Sequence, residues 1–510
     1  MQITILSNGG RKICPVFPGQ TLLEVLRGRE SVSAPCGGQG TCGKCTVYLV
    51  EQEGETPVLA CRTEARDGMT VRIPAQEPLA VALAGTVQAE FSPDGGLAGC
   101  GIACDIGSTT VVCQLVELST GKQIAVLGQG NAQRSFGGDV ISRIKAAMDG
   151  RLPALTDAIR GQLADMILLL CREAQVEPGQ ISRMAVAANT TMCHLLDGLD
   201  PAGLGAAPFT PVSRFGDCRP AGALGLPFDG EVYLAPAVSG YVGGDITADL
   251  LAVGADEAEA PILLIDVGTN GEMALGYGDH FVCCSTAAGP AFEGAQLSCG
   301  MTAAPGAVSA VEWSGGQLTC TTIGGGGAVG LCGSGLLDAV AVMLSLGAVD
   351  ETGRVLDPEE DEIPADAAPY LFLTEDGEPA FRFSPQVYVT QADVRKLQLG
   401  KGAIAAGVRV LLDEYGVDES QVSRLLLAGG FGSRLRPESA ARIGLIPQSL
   451  LPVTAAIGNA AAEGARLTLC AGQARSRILT LRDRMEYREL SGMAAFNAAY
   501  LDAMMFPEEE

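Results

Sequence analysis

Apolar and polar residues alternate over Gln2–Leu6, the turn pair Asn8-Gly9 follows, and the alternation resumes over Lys12–Phe17. That pattern predicts a hairpin. Thr21–Arg27 shifts to helical spacing, with Thr21 placed to cap the first turn and Gly28 to stop the last. Strand patterns return at Thr46–Val50 and Thr70–Ile73, an order that predicts a small β-grasp unit over residues 1–75. From Pro74 to about Ala98, Pro, Ala and Gly appear with little periodicity, and residues 76–98 read as a linker.

After Gly101 the chain becomes a long Ala- and Gly-rich α/β alternation. Ile102–Ile106 has the pattern of a buried strand ending in Asp105-Ile106, Gly107-Ser108-Thr109 is a tight turn, and Thr110–Cys113 opens a second strand. The same form recurs about 160 residues on, where the strand Ile262–Val267 runs through Asp266 into Gly268-Thr269-Asn270 and back along Gly271–Ala274. An internal duplication predicts two similar lobes, here 99–255 and 256–510. A further buried strand, Leu425–Leu427, ends in Ala428-Gly429-Gly430-Phe431-Gly432. In Tyr487–Phe506, Leu490, Met493, Phe496 and Leu501 fall at roughly helical spacing and predict a packed terminal helix.

Composition narrows the setting. Seventeen cysteines, in a chain whose MQITIL start runs straight into a strand, point to a reducing cytoplasm in which thiols stay free or bind metal. No apolar run approaches the length that crosses a bilayer. A net charge of -25 repels phosphate backbones and anionic lipid, which argues against nucleic-acid or membrane binding. Proteins and small ligands are the expected partners.

Four cysteines have the spacing of an iron-sulfur site. Cys36, Cys42 and Cys45 form C-x5-C-x2-C, with Cys61 closing the set, one residue longer in the first gap than the plant-type [2Fe-2S] pattern. Gly37, Gly38, Gly40 and Gly43 allow the positive φ and close backbone approach that a cluster loop needs. Cys14, isolated in a strand pattern, stands outside the set. The alternative is a four-thiolate zinc site, which usually pairs two C-x2-C knuckles.

The paired turns point to a nucleotide. Gly107, Ser108 and Thr109, and likewise Gly268, Thr269 and Asn270, offer backbone N–H and side-chain donors to phosphate, while Asp105 and Asp266 at the strand ends can hold Mg²⁺ directly or through water. Gly429, Gly430 and Gly432 leave bare backbone on which a base and ribose can lie. Any one of these turns alone is also an ordinary tight hairpin; the three in this order resemble the phosphate and adenosine motifs of the superfamily joining acetate kinase, sugar kinases, heat-shock chaperones and actin. The resemblance implies a ribonuclease-H-like, duplicated two-lobed fold that binds ATP.

A ferredoxin-like unit joined to such a fold resembles the reductive activators of corrinoid-dependent enzymes. Asn131–Ile144, Ala187–Leu195, Ala288–Gly294, Gly333–Asp338, Gln391–Ile404 and Ile457–Ala465 also look like that family. The resemblance implies an ATP-hydrolysing oxidoreductase that passes one electron from a [2Fe-2S] cluster to Co(II) of a corrinoid protein in a methyltransferase system. It further implies an upstream donor such as a ferredoxin or flavodoxin, and a possible homodimer. The linker runs directly into the first lobe, without the additional small domain of longer members, and only Cys470 follows Cys332, without further C-terminal cluster motifs. Two alternatives stay open. One is an activator of the 2-hydroxyacyl-CoA dehydratase type, against which Cys36–Cys61 argues; the other is a small-molecule kinase with an appended redox domain, which a phosphorylated acceptor would reveal.

Other residues carry weaker signals. Glu293 and Asp245 are candidates for the nucleotide site, although Asp245, after Ser239–Gly244, also reads as a helix cap. Asn189 reads either as a cap or as a donor at a strand's C-terminal end. His194 and His280, the two histidines, read as surface or capped imidazoles. Cys283, Cys284, Cys299, Cys320 and Cys332 read as buried free thiols.

Overall fold

The N-terminal alternation forms a hairpin in which β1 (Gln2–Ser7) pairs antiparallel with β2 (Gly10–Pro15), from Gln2 opposite Pro15 to Ser7 opposite Gly10. A computed structural model describes residues 1–7, 10–27, 32, 34, 38, 40, 43–51, 54–74, 91–359, 361–429 and 435–508. The expected Asn8-Gly9 turn and the Gly28 stop lie outside them. With β3 (Thr46–Glu51), β4 (Gly54–Leu59) and β5 (Thr70–Arg72), the hairpin makes a sheet of order β2-β1-β5-β3-β4. Helix α1 (Leu22–Leu26) buries Leu22, Leu23, Val25 and Leu26 in the same core as Ile3, Ile5, Val47 and Val71. Thr21 caps it as expected, accepting from the Glu24 N–H while Glu24 reaches back to the Thr21 N–H. The sequence pattern missed β4. It is an edge strand, largely exposed and carrying Pro57, so nothing in it alternates against a core.

In the next sheet β6 (Cys100–Ile106), β7 (Thr110–Glu117) and β8 (Lys122–Gly130) form an antiparallel meander. Strand β9 (Ile181–Ala188) lies parallel to β6, β11 (Glu231–Leu234) parallel to β9, and β10 (Cys218–Pro220) at the edge. Helices α2 (Val140–Ala146), α3 (Leu152–Ala174) and α4 (Thr190–Asp197) belong to this part; α3 buries Leu155, Ile159, Leu163, Met166 and Leu170, one stripe at helical spacing.

The second large sheet repeats that plan. After α5 (Gly244–Ala252), β12 (Ile262–Val267), β13 (Gly271–Tyr277) and β14 (His280–Thr286) form the meander. Two three-stranded sheets follow, β15 (Ala307–Ser314) with β16 (Gln317–Thr322) and β17 (Gly330–Leu331), and β18 (Leu371–Leu373) with β19 (Pro379–Ser384) and β20 (Val387–Thr390). Strand β21 (Arg424–Ala428) then lies parallel to β12, β22 (Thr454–Gly458) parallel to β21, and β23 (Met485–Tyr487) along β14. Helices α6 (Gly333–Ser345) and α7 (Gln391–Tyr415) contribute to the core under this sheet. Both meanders therefore open with a strand that ends in Asp-x, turns through three residues and returns.

The chain divides into two compact units. One is built on the N-terminal sheet, Ser92–Gly244 and Thr468–Gly472, the other on Asp245–Leu467 and Gln473–Glu510. Most of the expected linker, residues 75–90, lies outside the described residues. Its last part is anchored rather than loose: the Asp94 N–H donates to the Cys470 carbonyl at 3.0 Å, and the Asp94 carboxylate accepts from the Gly472 N–H at 2.7 Å. The terminal helix spans Ala494–Ala503 and packs on α7, but Leu501, read from its spacing as packed, is 68% exposed. No helix among the described residues is long and apolar enough to cross a membrane.

Candidate functional site

Cys45 and Cys61 are buried beside each other, their sulfurs 3.3 Å apart. The β3–β4 hairpin brings them together: Cys45 immediately precedes β3, Cys61 follows β4, and the Ala60 N–H donates to the Cys45 carbonyl at 2.9 Å. Two thiolates on one tetrahedral metal ion, each at about 2.3 Å, sit about 3.8 Å apart, so half an ångström of opening suits this pair to a shared metal. Gly38 has φ +98°, and a Cβ there would come within 3.1 Å of Arg27 Nη2 and of Leu23 Cδ2; one at Gly40, φ +75°, would fall onto the Arg62 guanidinium. Cys36 and Cys42 lie outside the described residues. Cys14 is buried in β2 as a free thiol.

The first Asp-x-Gly turn is tied down from behind. Asn131 donates through Nδ2 to the Gly107 carbonyl at 2.8 Å and through its backbone N–H to the Thr109 carbonyl at 2.8 Å. Arg143, fully buried, donates to the Ser108 carbonyl, to the Gly137 carbonyl at 3.1 Å and to the Met192 sulfur at 3.1 Å. Because a trans peptide sets N–H opposite C=O, holding the Gly107 and Ser108 carbonyls inward turns the Ser108 and Thr109 N–H groups outward, where an anion can take them. Asn189 caps α4 as one of its readings had it, accepting from the Met192 N–H at 2.9 Å, and its Nδ2 donates to Ser108 Oγ at 3.2 Å. Sequence reasoning assigned nothing to Asn131 or Arg143. Their only signal was membership of the stretch Asn131–Ile144.

Carboxylates surround the second turn. Asp266 on β12 pairs across the ladder with Glu272 on β13. Burial, and then the charges of Asp245 and Asp266, push the Glu272 carboxyl well above its usual range. Thr269 Oγ1 donates to Glu293 at 2.6 Å and Asn270 Nδ2 to Glu272 at 3.1 Å. Gly268 closes the turn, its N–H donating to the Asn270 carbonyl at 2.9 Å. Gly429, at the end of β21, has φ +90°, and a Cβ there would run into the Asp266 carboxylate. Only glycine fits. Gly430 and Gly432 lie outside the described residues. Asp245 is not the expected cap: α5 begins at Gly244, and Asp245 sits inside its first turn with Oδ1 accepting from the Ile246 N–H at 2.9 Å.

The two histidines differ from each other. His280 is a surface imidazole stacked on Tyr415 at 5.3 Å. His194 is fully buried, contrary to the surface reading; Nδ1 donates to the Thr190 carbonyl at 2.7 Å and Nε2 accepts from the Val212 N–H at 3.0 Å, while burial lowers its pKa. An apolar helix flanking a polar loop conceals such a residue from pattern reading. Cys283, Cys284 and Cys332 are buried free thiols, and Cys299 and Cys320 are half-buried.

Residues 260–510 match the family described as the C-terminal domain of RACo, the ASKHA domain; residues 100–258 match the RACo middle region, and residues 5–66 the 2Fe-2S iron-sulfur cluster binding domain. The chain is similar to the corrinoid activation enzyme RamQ of Eubacterium limosum, 36% identical over 387 residues that cover 72% of this chain and 64% of that protein. It is also similar to a reductase of Co(II) methylated amine-specific corrinoid protein from Methanosarcina barkeri, 26% identical over 68% of this chain and 66% of that one. The chain spans just under two thirds of the length of these two relatives. Its fold matches the solved structure of a reductive activator for corrinoid, iron-sulfur protein at TM-score 0.72 and 29% identity, covering 99% of this chain and 98% of that chain. The expected absence of a further small domain therefore does not separate this chain from that one. The chain thus carries, in that order, a match to the 2Fe-2S iron-sulfur cluster binding domain, the RACo middle region and the ASKHA domain of RACo.

Proposed function

We propose that this protein uses ATP to reactivate a corrinoid protein of a methyltransferase system by one-electron reduction. The observation that carries the reading is the buried Cys45–Cys61 sulfur pair on the same chain as two Asp-x-Gly turns of duplicated form. The activities after which its relatives are named point the same way. Cys36, Cys42, Cys45 and Cys61 would hold the [2Fe-2S] group. When bound, that group supplies a one-electron couple from which cobalt(II) can be taken to cobalt(I). Each 59 mV by which the acceptor lies below the donor costs about a factor of ten for one electron, and ATP hydrolysis is the available source of free energy to offset it.

The chain's own residues divide the nucleotide's demands. Gly107, Ser108 and Thr109 offer outward N–H and hydroxyl donors to phosphate, backed by the Arg143 charge. Asp105 and Asp266 would hold the Mg²⁺, with Asp245 and Glu293 as further carboxylates at the second turn and Glu272, raised by burial, as a carboxyl that a cation would favour in its ionised form. Thr269 and Asn270, which donate to Glu293 and Glu272, would offer those donors to phosphate, and Gly429, Gly430 and Gly432 would leave room for the nucleoside. The electron enters from an external donor of the ferredoxin or flavodoxin kind, and a homodimer is compatible with this scheme. The test is to mix the full-length protein, a reductant, Mg²⁺-ATP and a Co(II) corrinoid protein and to follow the cobalt by visible absorption. Co(I) should appear with ATP and fail to accumulate without it; equal Co(I) without nucleotide would end the proposal.

A further inference from the structure

Arg27 joins the cluster end of the first unit to its nucleotide end. It is the last residue of the α1 cap, and its Nε donates to the Ser135 carbonyl at 2.8 Å. Its guanidinium carbon lies 5.7 Å from the centre of the Phe136 ring, within cation–π range. On its other side, Nη2 is 3.1 Å from where a Cβ at Gly38 would stand, and that point is 3.9 Å from Cys61 Cβ. One planar fork thus lies between the space beside Gly38 and the strip that begins at Asn131.

That strip is stiff. Residues Ala132–Ser135 form a single 3₁₀ turn capped by Asn131, Gln133 Nε2 donates to the Leu155 carbonyl at 3.0 Å, and Ser135 and Phe136 are buried. Its far side is the back of the first Asp-x-Gly turn, where Asn131 holds the Gly107 and Thr109 carbonyls and Arg143 spans from the Gly137 carbonyl to the Ser108 carbonyl. A rigid element with hydrogen bonds at both ends passes displacement rather than absorbing it.

We propose that Arg27 is a positioning residue that stands between Gly38, beside the buried Cys61, and the Asn131–Gly137 strip, so that nucleotide on the Gly107–Thr109 turn alters the surroundings of the cluster. The proposal rests on the reading of that turn as the phosphate site. Coupling of this kind is reciprocal, so the state of the cluster also biases nucleotide affinity.

The test uses the full-length, cluster-loaded protein, visible circular dichroism of the oxidised cluster, and titration with Mg²⁺ and a non-hydrolysable ATP analogue. Binding of the analogue is measured on the same samples by calorimetry. The wild type should show a dichroism change that saturates with binding. Arg27→Ala should keep its iron, sulfide and analogue affinity and lose the change. If Arg27→Ala does not load its cluster, Arg27→Lys keeps the charge without the planar fork and should show the same loss. A wild type that binds the analogue with no change in dichroism overturns the inference, as does a variant that retains the full change. A wild type that does not bind the analogue overturns instead the nucleotide reading on which it rests.

Discussion

Asp105-Ile106-Gly107-Ser108 and Asp266-Val267-Gly268-Thr269 follow equivalent strands in two sheets of the same plan, yet their surroundings have opposite character. Behind the first turn are a buried arginine and two asparagine amides. Around the second are Glu272, Glu293 and Asp245, with Thr269 and Asn270 donating to two of them. Duplication has preserved the backbone frame while the side chains diverged. A turn backed by a cation favours an anion in front of it; a turn ringed by carboxylates needs a cation to relieve their repulsion. Burial first, and the neighbouring Asp245 and Asp266 charges second, raise the Glu272 carboxyl. On the proposed reading, the surroundings of the first turn favour phosphate and those of the second favour the metal, with Asp105 and Asp266 both offered to the metal.

Variants at these positions can break that division. Asp105→Ala and Asp266→Ala should each lower Mg²⁺-ATP hydrolysis by about 100-fold or more, since even an outer-shell partner of a metal is worth about 10–100-fold. The visible spectrum of the cluster, which belongs to other residues, should not change. Gly429→Ala should disturb the second turn alone: it strains a left-handed backbone by about 1–2 kcal/mol and displaces the Asp266 carboxylate, so hydrolysis should fall with little loss of melting temperature. Arg143→Met should disturb the first turn alone, leaving the Ser108 and Gly137 carbonyls short of a donor at about 1–3 kcal/mol each, read by denaturant unfolding.

Lys401 serves as a control outside both turns, and its effect should be the smallest. It is buried on α7 against the Met505 carbonyl and the Phe506 ring, and burial lowers its pKa to about 7. The unfolded lysine titrates at about 10.4, so between these values the unfolded chain binds more protons and stability rises with pH. Lys401→Met should remove that rise from a plot of unfolding free energy against pH while nucleotide binding stays as it was.

The sequence made legible whatever depends on backbone pattern. The hairpin, the Thr21 cap, the strand ends at Asp105 and Asp266 and the Asn189 cap all rest on local spacing, which the fold retains. Long-range placement was not legible. Arg143 is one of two basic residues on α2, and only the tertiary fold buries it against Ser108, 35 residues away. Of the two readings of His194, the surface one fails because the imidazole is buried and accepts from Val212, in a loop with no pattern of its own. Asp245 looked like a cap because Gly243 and Gly244 precede it; those glycines are instead required by close approach to Asn189 and Ala235. The edge strand β4 lacked an alternating face because it has little core to meet.

The division between the turns is tested most directly by equilibrium binding of a non-hydrolysable ATP analogue with and without Mg²⁺, compared in the wild type, Glu272→Gln and Arg143→Met. In Glu272→Gln the gain in affinity on adding Mg²⁺ should disappear while metal-free binding persists; in Arg143→Met metal-free binding should weaken while the Mg²⁺ gain persists. If both variants lose the same component, or if Glu272→Gln keeps the full Mg²⁺ gain, the two turns do not divide phosphate from metal.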